Sequence, residues 1–140
     1  MNKVLFLLCL FLTINTFSQK EANFWYFGRN AGLDFSSGNP TAISNGALST
    51  AEGSATISDA SGNLLFYTDG ITVYNRNHLP MANGTGLLGD PSSAQSAIIV
   101  PKPLDPSIYY IFTVTHQNTN VSVGVKYSEV DITKNGNLGE

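Results

Sequence analysis

The chain has 140 residues, of which 12% are charged, and its formal net charge is −3. This weakly acidic balance comes with no cluster of Lys and Arg, which argues against nucleic acid as a partner. Aromatic residues make up 11% of the sequence, a share that excludes a disordered chain. The single cysteine, Cys9, cannot support a disulfide framework within the chain.

Residues 1–18 have the three-part layout of a cleavable secretory signal. Lys3 supplies a positive charge, residues 4–14 form an apolar run, and the small residues Thr16 and Ser18 precede a cut before Gln19. The run is shorter than the roughly 20 residues of a membrane-spanning helix, and a buried N-terminal helix is the weaker alternative. Because Cys9 leaves with the signal, we expect a mature chain of residues 19–140 that lacks cysteine and does not span a membrane.

The mature sequence predicts an all-β, antiparallel fold. Gly, Asn, Ser and Thr are abundant, which is typical of strands joined by tight turns. No segment of the mature chain shows helical periodicity. In chain order, strands are predicted at residues 23–28, 32–36, 41–48 (interrupted at Asn45-Gly46), 54–58, 64–68, 71–74, 96–100, 108–114 and 123–132.

The segments between these strands differ in length and composition. Residues 59–63 predict a hairpin turn in which the Asp59 carboxylate accepts hydrogen bonds and Gly62 takes a positive φ. Residues 101–107 contain prolines, which cannot donate to a sheet ladder, so this turn is expected outside the sheet. Residues 75–96 predict a long loop, which is unusual in a compact domain unless it binds something or packs on itself.

Two of the predicted hairpins are similar to each other. Ala55 and Ile57 match Ala97 and Ile99, and residues 66–68 match residues 111–113. A period of roughly 40–45 residues is the spacing of β-propeller blades, although neighbouring hairpins of a β-sandwich are the alternative. Residues 19–140 would hold two or three blades, whereas propellers close with roughly 4–8. We therefore expect an incomplete, propeller-like domain that is the N-terminal part of a longer protein.

Several sequence strings, in order, resemble one protein family. They are NFWYFGRNAGLDF (23–35), GNLLFYTDG (62–70), VYNRNH (73–78), QSAIIVPKP (95–103) and YYIFT (109–113). They are similar to the N-terminal regions of large secreted Bacteroidota proteins that end in a type B sorting domain of the type IX secretion system, related to the gliding-motility-associated C-terminal domain. The resemblance covers nearly all of residues 19–140, although the sorting domain itself is not among them.

This resemblance implies Sec export, passage through the outer membrane by the type IX machinery, and a secreted or outer cell-surface location. It also implies a propeller-like N-terminal region. It supplies no catalytic motif that matches residues of this chain.

The sequence contains no convincing catalytic, metal or cofactor motif. His78 and His116 are not at metal-ligand spacing, and no nucleophile elbow surrounds Ser54 or Ser96. The glycine patterns of phosphate and dinucleotide sites are also missing. We therefore expect neither a metal nor a cofactor.

The favoured interpretation is a non-enzymatic binding or adhesion module that presents its loops on a rigid sheet to an extracellular glycan or surface protein. The candidate ligand-binding residues are Trp25, Tyr74, Asn77 and His78. The alternative is part of a propeller-type carbohydrate-active enzyme, which requires Glu52, Asp69 and Asp90 to line one pocket with a raised carboxyl pKa. A purely structural spacer is the third interpretation.

Overall fold

The computed structural model describes residues 20–115 and 124–140, and this part of the chain is all-β, with three antiparallel sheets, none of them closed. The first sheet contains β1 (Phe24–Phe27), β2 (Ala31–Asp34) and β3 (Thr41–Ile43). The second contains β4 (Ala55–Ser58), β5 (Leu64–Thr68), β6 (Thr72–Asn75) and β7 (Pro80–Thr85). The third contains β8 (Ala97–Lys102), β9 (Asp105–Val114) and β10 (Val125–Asp131), with β9 in the centre.

Helical structure in the described residues is limited to short turns. A 3-10 turn spans Lys20–Ala22, and a second turn spans Lys134–Asn137, where Asn135 and Gly136 have positive φ. No helix among the described residues is both long and apolar enough to cross a membrane. The predicted signal at residues 1–18 and His116 lie outside the described residues.

The second sheet is covered on both faces. Neighbouring residues of a strand point to opposite faces of the sheet, so Phe66 and Tyr67 of β5 point in opposite directions. Both are fully buried, Tyr67 beneath Tyr26 of the first sheet and Phe66 against Ile111 of the third sheet. The sheets therefore form a stack of three layers with a hydrophobic core on each side of the middle one.

The first and second sheets are also joined through the backbone of β1, which lies at the edge of its sheet. The Tyr26 N–H donates to Thr56 Oγ1 at 2.9 Å, and Ser54 Oγ donates to the Tyr26 carbonyl at 3.0 Å. Side chains in β4 and directly before it thus satisfy backbone groups that an edge strand would otherwise expose.

The predicted hairpin repeat is confirmed at the level of strand register. In the β4–β5 hairpin, Ala55 pairs with Thr68 and Ile57 pairs with Phe66. In the β8–β9 hairpin, the matching residues Ala97 and Ile99 pair with Thr113 and Ile111. The matching faces point toward each other across the core between the second and third sheets.

The predicted loop at residues 75–96 is wrong in its first half. β7 occupies Pro80–Thr85 and completes the second sheet, although Asn83-Gly84 has the composition of a turn. Asn83 takes a positive φ of 53°, and the register of β6 and β7 shifts between Thr72 and Tyr74. Because the register shifts, the dipeptide Asn83-Gly84 can remain in β7 although its composition is typical of a turn.

The predicted turn at residues 101–107 is also wrong, because the hairpin turn consists of Pro103 and Leu104 alone. Pro101 of β8 pairs with Tyr109 of β9. Leu104, in the turn, takes a positive φ of 66°. An edge strand such as β8 tolerates proline, and the register shifts directly after Pro101. The predicted strand at residues 41–48 is shorter than expected, since β3 ends at Ile43.

Candidate functional site

Two of the predicted ligand-binding residues, Tyr74 and His78, lie together around Tyr67. The Tyr74 ring stacks on the Tyr67 ring with centroids 5.4 Å apart, and Tyr67 stacks on Tyr26 at 4.4 Å. The His78 ring lies against both Tyr26 and Tyr67, at centroid distances of 5.4 and 5.9 Å. These aromatic side chains form a continuous cluster between the first and second sheets.

Both ring nitrogens of His78 are occupied within this cluster. Nδ1 lies 3.1 Å from Tyr67 Oη, and Nε2 lies 3.0 Å from the Asn45 side-chain nitrogen. Tyr26 Oη in turn donates to Asn45 Oδ1 at 3.1 Å. Burial lowers the pKa of His78 below its ordinary value, which favours the neutral ring. His78 therefore holds the two sheets together and has no free nitrogen for a ligand in this arrangement.

The other two predicted residues lie apart from this cluster. Asn77 is exposed in the turn before β7, where its backbone N–H donates to Asn75 Oδ1 at 2.9 Å. Trp25 is 49% exposed, packs against Phe35 with ring centroids 5.0 Å apart, and lines a separate cleft of about 280 Å³ with Thr56. The four predicted residues thus occupy three places and do not form one site.

The carboxylates that an enzyme would need are engaged in their own turns. Asp69 Oδ1 accepts hydrogen bonds from the Ile71 and Thr72 N–H groups at 2.9 and 2.8 Å. Asp90 Oδ1 accepts from the Ser92 N–H at 2.7 Å. Four clefts among the described residues, of about 280 to 500 Å³, are lined by side chains other than Asp69, Asp90 and the exposed Glu52. No three acidic, histidine or cysteine side chains of the described segments are grouped to hold a metal ion.

A cleft of about 500 Å³ lies at the turn ends of the first and second sheets, and we call it the Asn23 cleft. Its walls come from the segment before β1, the turn after β2 and the β4–β5 turn. The lining residues are Lys20, Asn23, Phe24, Phe35, Ser36, Gly38, Ser61, Gly62 and Asn63.

Hydrogen bonds within the two turns fix the walls of the Asn23 cleft. The Ser36 N–H donates to Asp34 Oδ1 at 2.7 Å, and the Ser61 and Asn63 N–H groups donate to Asp59 Oδ1 at 2.8 and 2.9 Å. Burial alone would raise the pKa of Asp59, but the hydrogen bonds from Asn63, Ser61 and Gly62 outweigh it and lower the pKa. Asp59 is therefore charged at neutral pH, and the turn that it organises is rigid.

Asn23 is held in the cleft by its backbone. Its N–H donates to the Lys20 carbonyl at 3.0 Å, and its own carbonyl accepts from the Phe35 N–H at 2.8 Å. Its side-chain amide lies directly over Gly62, where a Cβ atom would collide with it. No hydrogen bond joins the Asn23 amide, or the hydroxyl of Ser36 or Ser61, to another described residue.

Sequence reasoning missed this cleft because its residues come from three separate segments. The Asp59 turn was predicted, but only as a structural element. Nothing in the sequence indicates that the Phe35 N–H reaches the Asn23 carbonyl and brings Ser36 beside Asn23.

Comparisons of the chain with protein-family models, with curated proteins and with solved structures give no match.

Proposed function

We propose that the mature chain is a non-enzymatic module that is exported to the cell surface and binds an extracellular glycan through the turn ends of its stacked sheets. The signal-like pattern of residues 1–18 and the resemblance of residues 23–35 and 62–70 to type IX-exported Bacteroidota proteins support the export route. They support a location outside the cell or on its outer surface.

One contrast carries the proposal of binding rather than catalysis. The candidate reactive groups, on Asp69, Asp90 and His78, accept or share hydrogen bonds inside turns or between sheets. The side chains of Asn23 and Ser36, which line the Asn23 cleft, make no hydrogen bond to other residues of the described segments. The Asn23 amide and the Ser36 hydroxyl therefore remain available to hydrogen-bond a ligand in this cleft.

The three-layer stack supports a propeller-like arrangement over a sandwich. Each sheet of a β-sandwich has one covered face, whereas the second sheet here is covered on both. The second and third sheets do meet through matching faces, as the sheets of a sandwich do. The propeller-like feature is therefore the covering of the second sheet on both faces, and not a rotational repeat of the two hairpins.

Exposed apolar side chains on the outer face of the third sheet support the presence of further sheets in a longer protein. On the third sheet, Val125 and Tyr127 are 67% and 69% exposed, and Phe112 lies beside them. Phe112 holds the same register position as Tyr67, which the first sheet covers completely. An exposed apolar sheet face of this kind requires a covering layer or becomes a site of association.

The binding proposal is tested by retention on insoluble polysaccharides. Purified residues 19–140 are mixed with cellulose, chitin, xylan and starch granules, and an unrelated β-protein serves as the control. We expect retention on at least one polysaccharide and release by its own soluble oligosaccharide. A chain that stays in solution with all four contradicts the glycan-binding function.

The export proposal needs a separate test. The chain is expressed in a Bacteroidota host, and the N-terminus of the material outside the inner membrane is sequenced. We expect it to begin at Gln19. A chain that retains residues 1–18, or that stays in the cytoplasm, contradicts export.

A further inference from the structure

Resting on the proposed glycan binding, we propose that the Asn23 cleft is the binding site and that it takes one or two rings of a neutral pyranose saccharide. Its volume of about 500 Å³ lies in the range of small-ligand sites, roughly 300–1,000 Å³. Its position at the turn ends leaves it open even when further sheets cover the outer faces of the stack.

The polar groups of the cleft match the hydroxyls of a sugar ring. The Asn23 amide offers two N–H donors and a carbonyl acceptor, and the hydroxyls of Ser36 and Ser61 both donate and accept. A sugar hydroxyl likewise donates and accepts, so each of these side chains can pair with it in either sense. The Asn63 side-chain nitrogen already donates to Asp59 Oδ2 at 2.9 Å, which leaves its Oδ1 as an acceptor.

The apolar part of the cleft complements the other face of a pyranose. Phe24 and Phe35 line the cleft and are half-buried, and Phe24 also packs against the core that contains Tyr26. An aromatic ring presents its face to the C–H groups of a sugar, a contact that removes apolar surface from water on both sides. Trp25 supports this wall from behind, since it packs against Phe35.

Charge favours a neutral saccharide over an acidic one. The carboxylates of Asp34 and Asp59 lie directly beside the cleft, because each accepts the N–H of a lining serine. Lys20 is the one cation among the lining residues, and it is exposed. A uronic acid would bring a third carboxylate next to this pair, and the exposed Lys20 is too well hydrated to offset the repulsion.

The site is prepared before the ligand arrives, which lowers the entropic cost of binding. The Asp59 and Asp34 turns hold the serines, and the backbone of Asn23 is bonded on both sides. Gly62, with a φ of 92°, leaves the space that the Asn23 amide occupies. A side chain at position 62 would displace this amide from the cleft.

The test is an NMR titration of ¹⁵N-labelled residues 19–140 with a tetrasaccharide. The probe is cellotetraose, chitotetraose, xylotetraose or maltotetraose, chosen to match the polysaccharide that retains the chain, and tetragalacturonate is the acidic counterpart. We expect saturable shifts of the amides at residues 20–24, 35–38 and 61–63 and no saturable shift with tetragalacturonate. Tighter binding of tetragalacturonate would overturn the neutral class.

Two variants then locate the site. The double substitution Asn23→Ala with Ser36→Ala removes two side chains that make no hydrogen bond to another described residue. We expect it to lower the affinity for the tetrasaccharide about tenfold. Ser49→Ala, at an exposed serine that pairs with Arg29 at the opposite end of β1, is the control and should bind as the wild type does. Gly62→Ala, checked for folding by circular dichroism, should weaken binding as the double substitution does.

The outcomes separate this inference from the proposed function. If the chain is retained on a polysaccharide but the double substitution binds the tetrasaccharide normally, the Asn23 cleft is not the site and the binding function stands. If no polysaccharide retains the wild-type chain, the binding function fails and the inference fails with it.

Discussion

The ring of Tyr26 in the first sheet stacks on the ring of Tyr67 in the second, with centroids 4.4 Å apart and an interplanar angle of 21°. Tyr67 Oη also accepts the Ala47 N–H at 2.9 Å and lies 3.1 Å from His78 Nδ1. One side chain thus contacts the facing sheet, the segment after β3 and the turn before β7. The attachment of the first sheet to the second depends strongly on this residue.

Replacing Tyr67 with Phe tests this junction, because it keeps the ring and removes its hydroxyl. The Ala47 N–H and His78 lose their partner, and we expect the free energy of unfolding to fall by about 1–3 kcal/mol. Urea denaturation followed by tyrosine and tryptophan fluorescence measures it. Tyr127→Phe, at a residue that is 69% exposed, is the control and should change stability by less than about 0.5 kcal/mol. Equal effects of the two substitutions would show that the Tyr67 hydroxyl does not join the sheets.

The pH dependence of stability reports on His78. Burial lowers its pKa below the ordinary value of 6.5, so the unfolded chain binds a proton more readily than the folded chain does. The contribution of His78 is complete above about pH 6.5, the pKa in the unfolded chain, and is lost as the pH falls from there through the lower pKa of the folded chain. We expect lower stability at pH 5.5 than at pH 7.5, measured by urea denaturation at both pH values.

His78→Asn supplies the control for this pH effect. Asparagine tolerates the positive φ of 62° at this position but does not titrate. Because His116 remains in both proteins, the difference between their pH profiles isolates His78. Profiles of equal slope between pH 5.5 and 7.5 would show that burial of His78 does not affect its protonation.

Gly70 tests the packing between the Asp69 turn and the segment before β8. Gly70 has a φ of 88°, and a Cβ atom there would meet the buried side chain of Ser96. Gly86 has a similar φ of 78° but opens to empty space. We expect Gly86→Ala to cost about 1 kcal/mol from backbone strain and Gly70→Ala a further 1–3 kcal/mol from overpacking. Similar melting temperatures for the two variants would contradict the close contact with Ser96.

The Asp59 carboxylate stabilises the β4–β5 turn through several hydrogen bonds. Asp59→Ala removes the acceptor of the Ser61 and Asn63 N–H groups and of the Asn63 amide, and we expect a loss of about 1–2 kcal/mol. Asp105→Ala is the matched control, because Asp105 Oδ1 accepts only from the Ser107 N–H within the described segments. Thermal unfolding of both variants should show the larger decrease for Asp59→Ala; the reverse order would contradict this role.

Local turn chemistry made part of the fold predictable from the sequence. The hairpin at residues 55–68 follows from Asp59 and Gly62, whose roles depend only on neighbouring residues. β7 was not predictable, because Asn83-Gly84 is typical of a turn and only pairing with β6 keeps it in the sheet.

The candidate site was less predictable than the fold for a related reason. The roles of Tyr67 and His78 depend on the contact between two sheets, which no local pattern indicates. The Asn23 cleft was not predictable either, because Ser36 and Ser61 reach it from segments distant in sequence from Asn23.

A single experiment that measures retention and product release together tests most directly whether the chain binds a polysaccharide without cleaving it. Residues 19–140 are incubated with the polysaccharide that retains them, and the supernatant is assayed for new reducing ends and unsaturated sugars. We expect retention without either product, and the same retention for the Asp69→Asn, Asp90→Asn double variant. Release of product by the wild-type chain, abolished in that variant, would contradict a binding module and establish an enzyme.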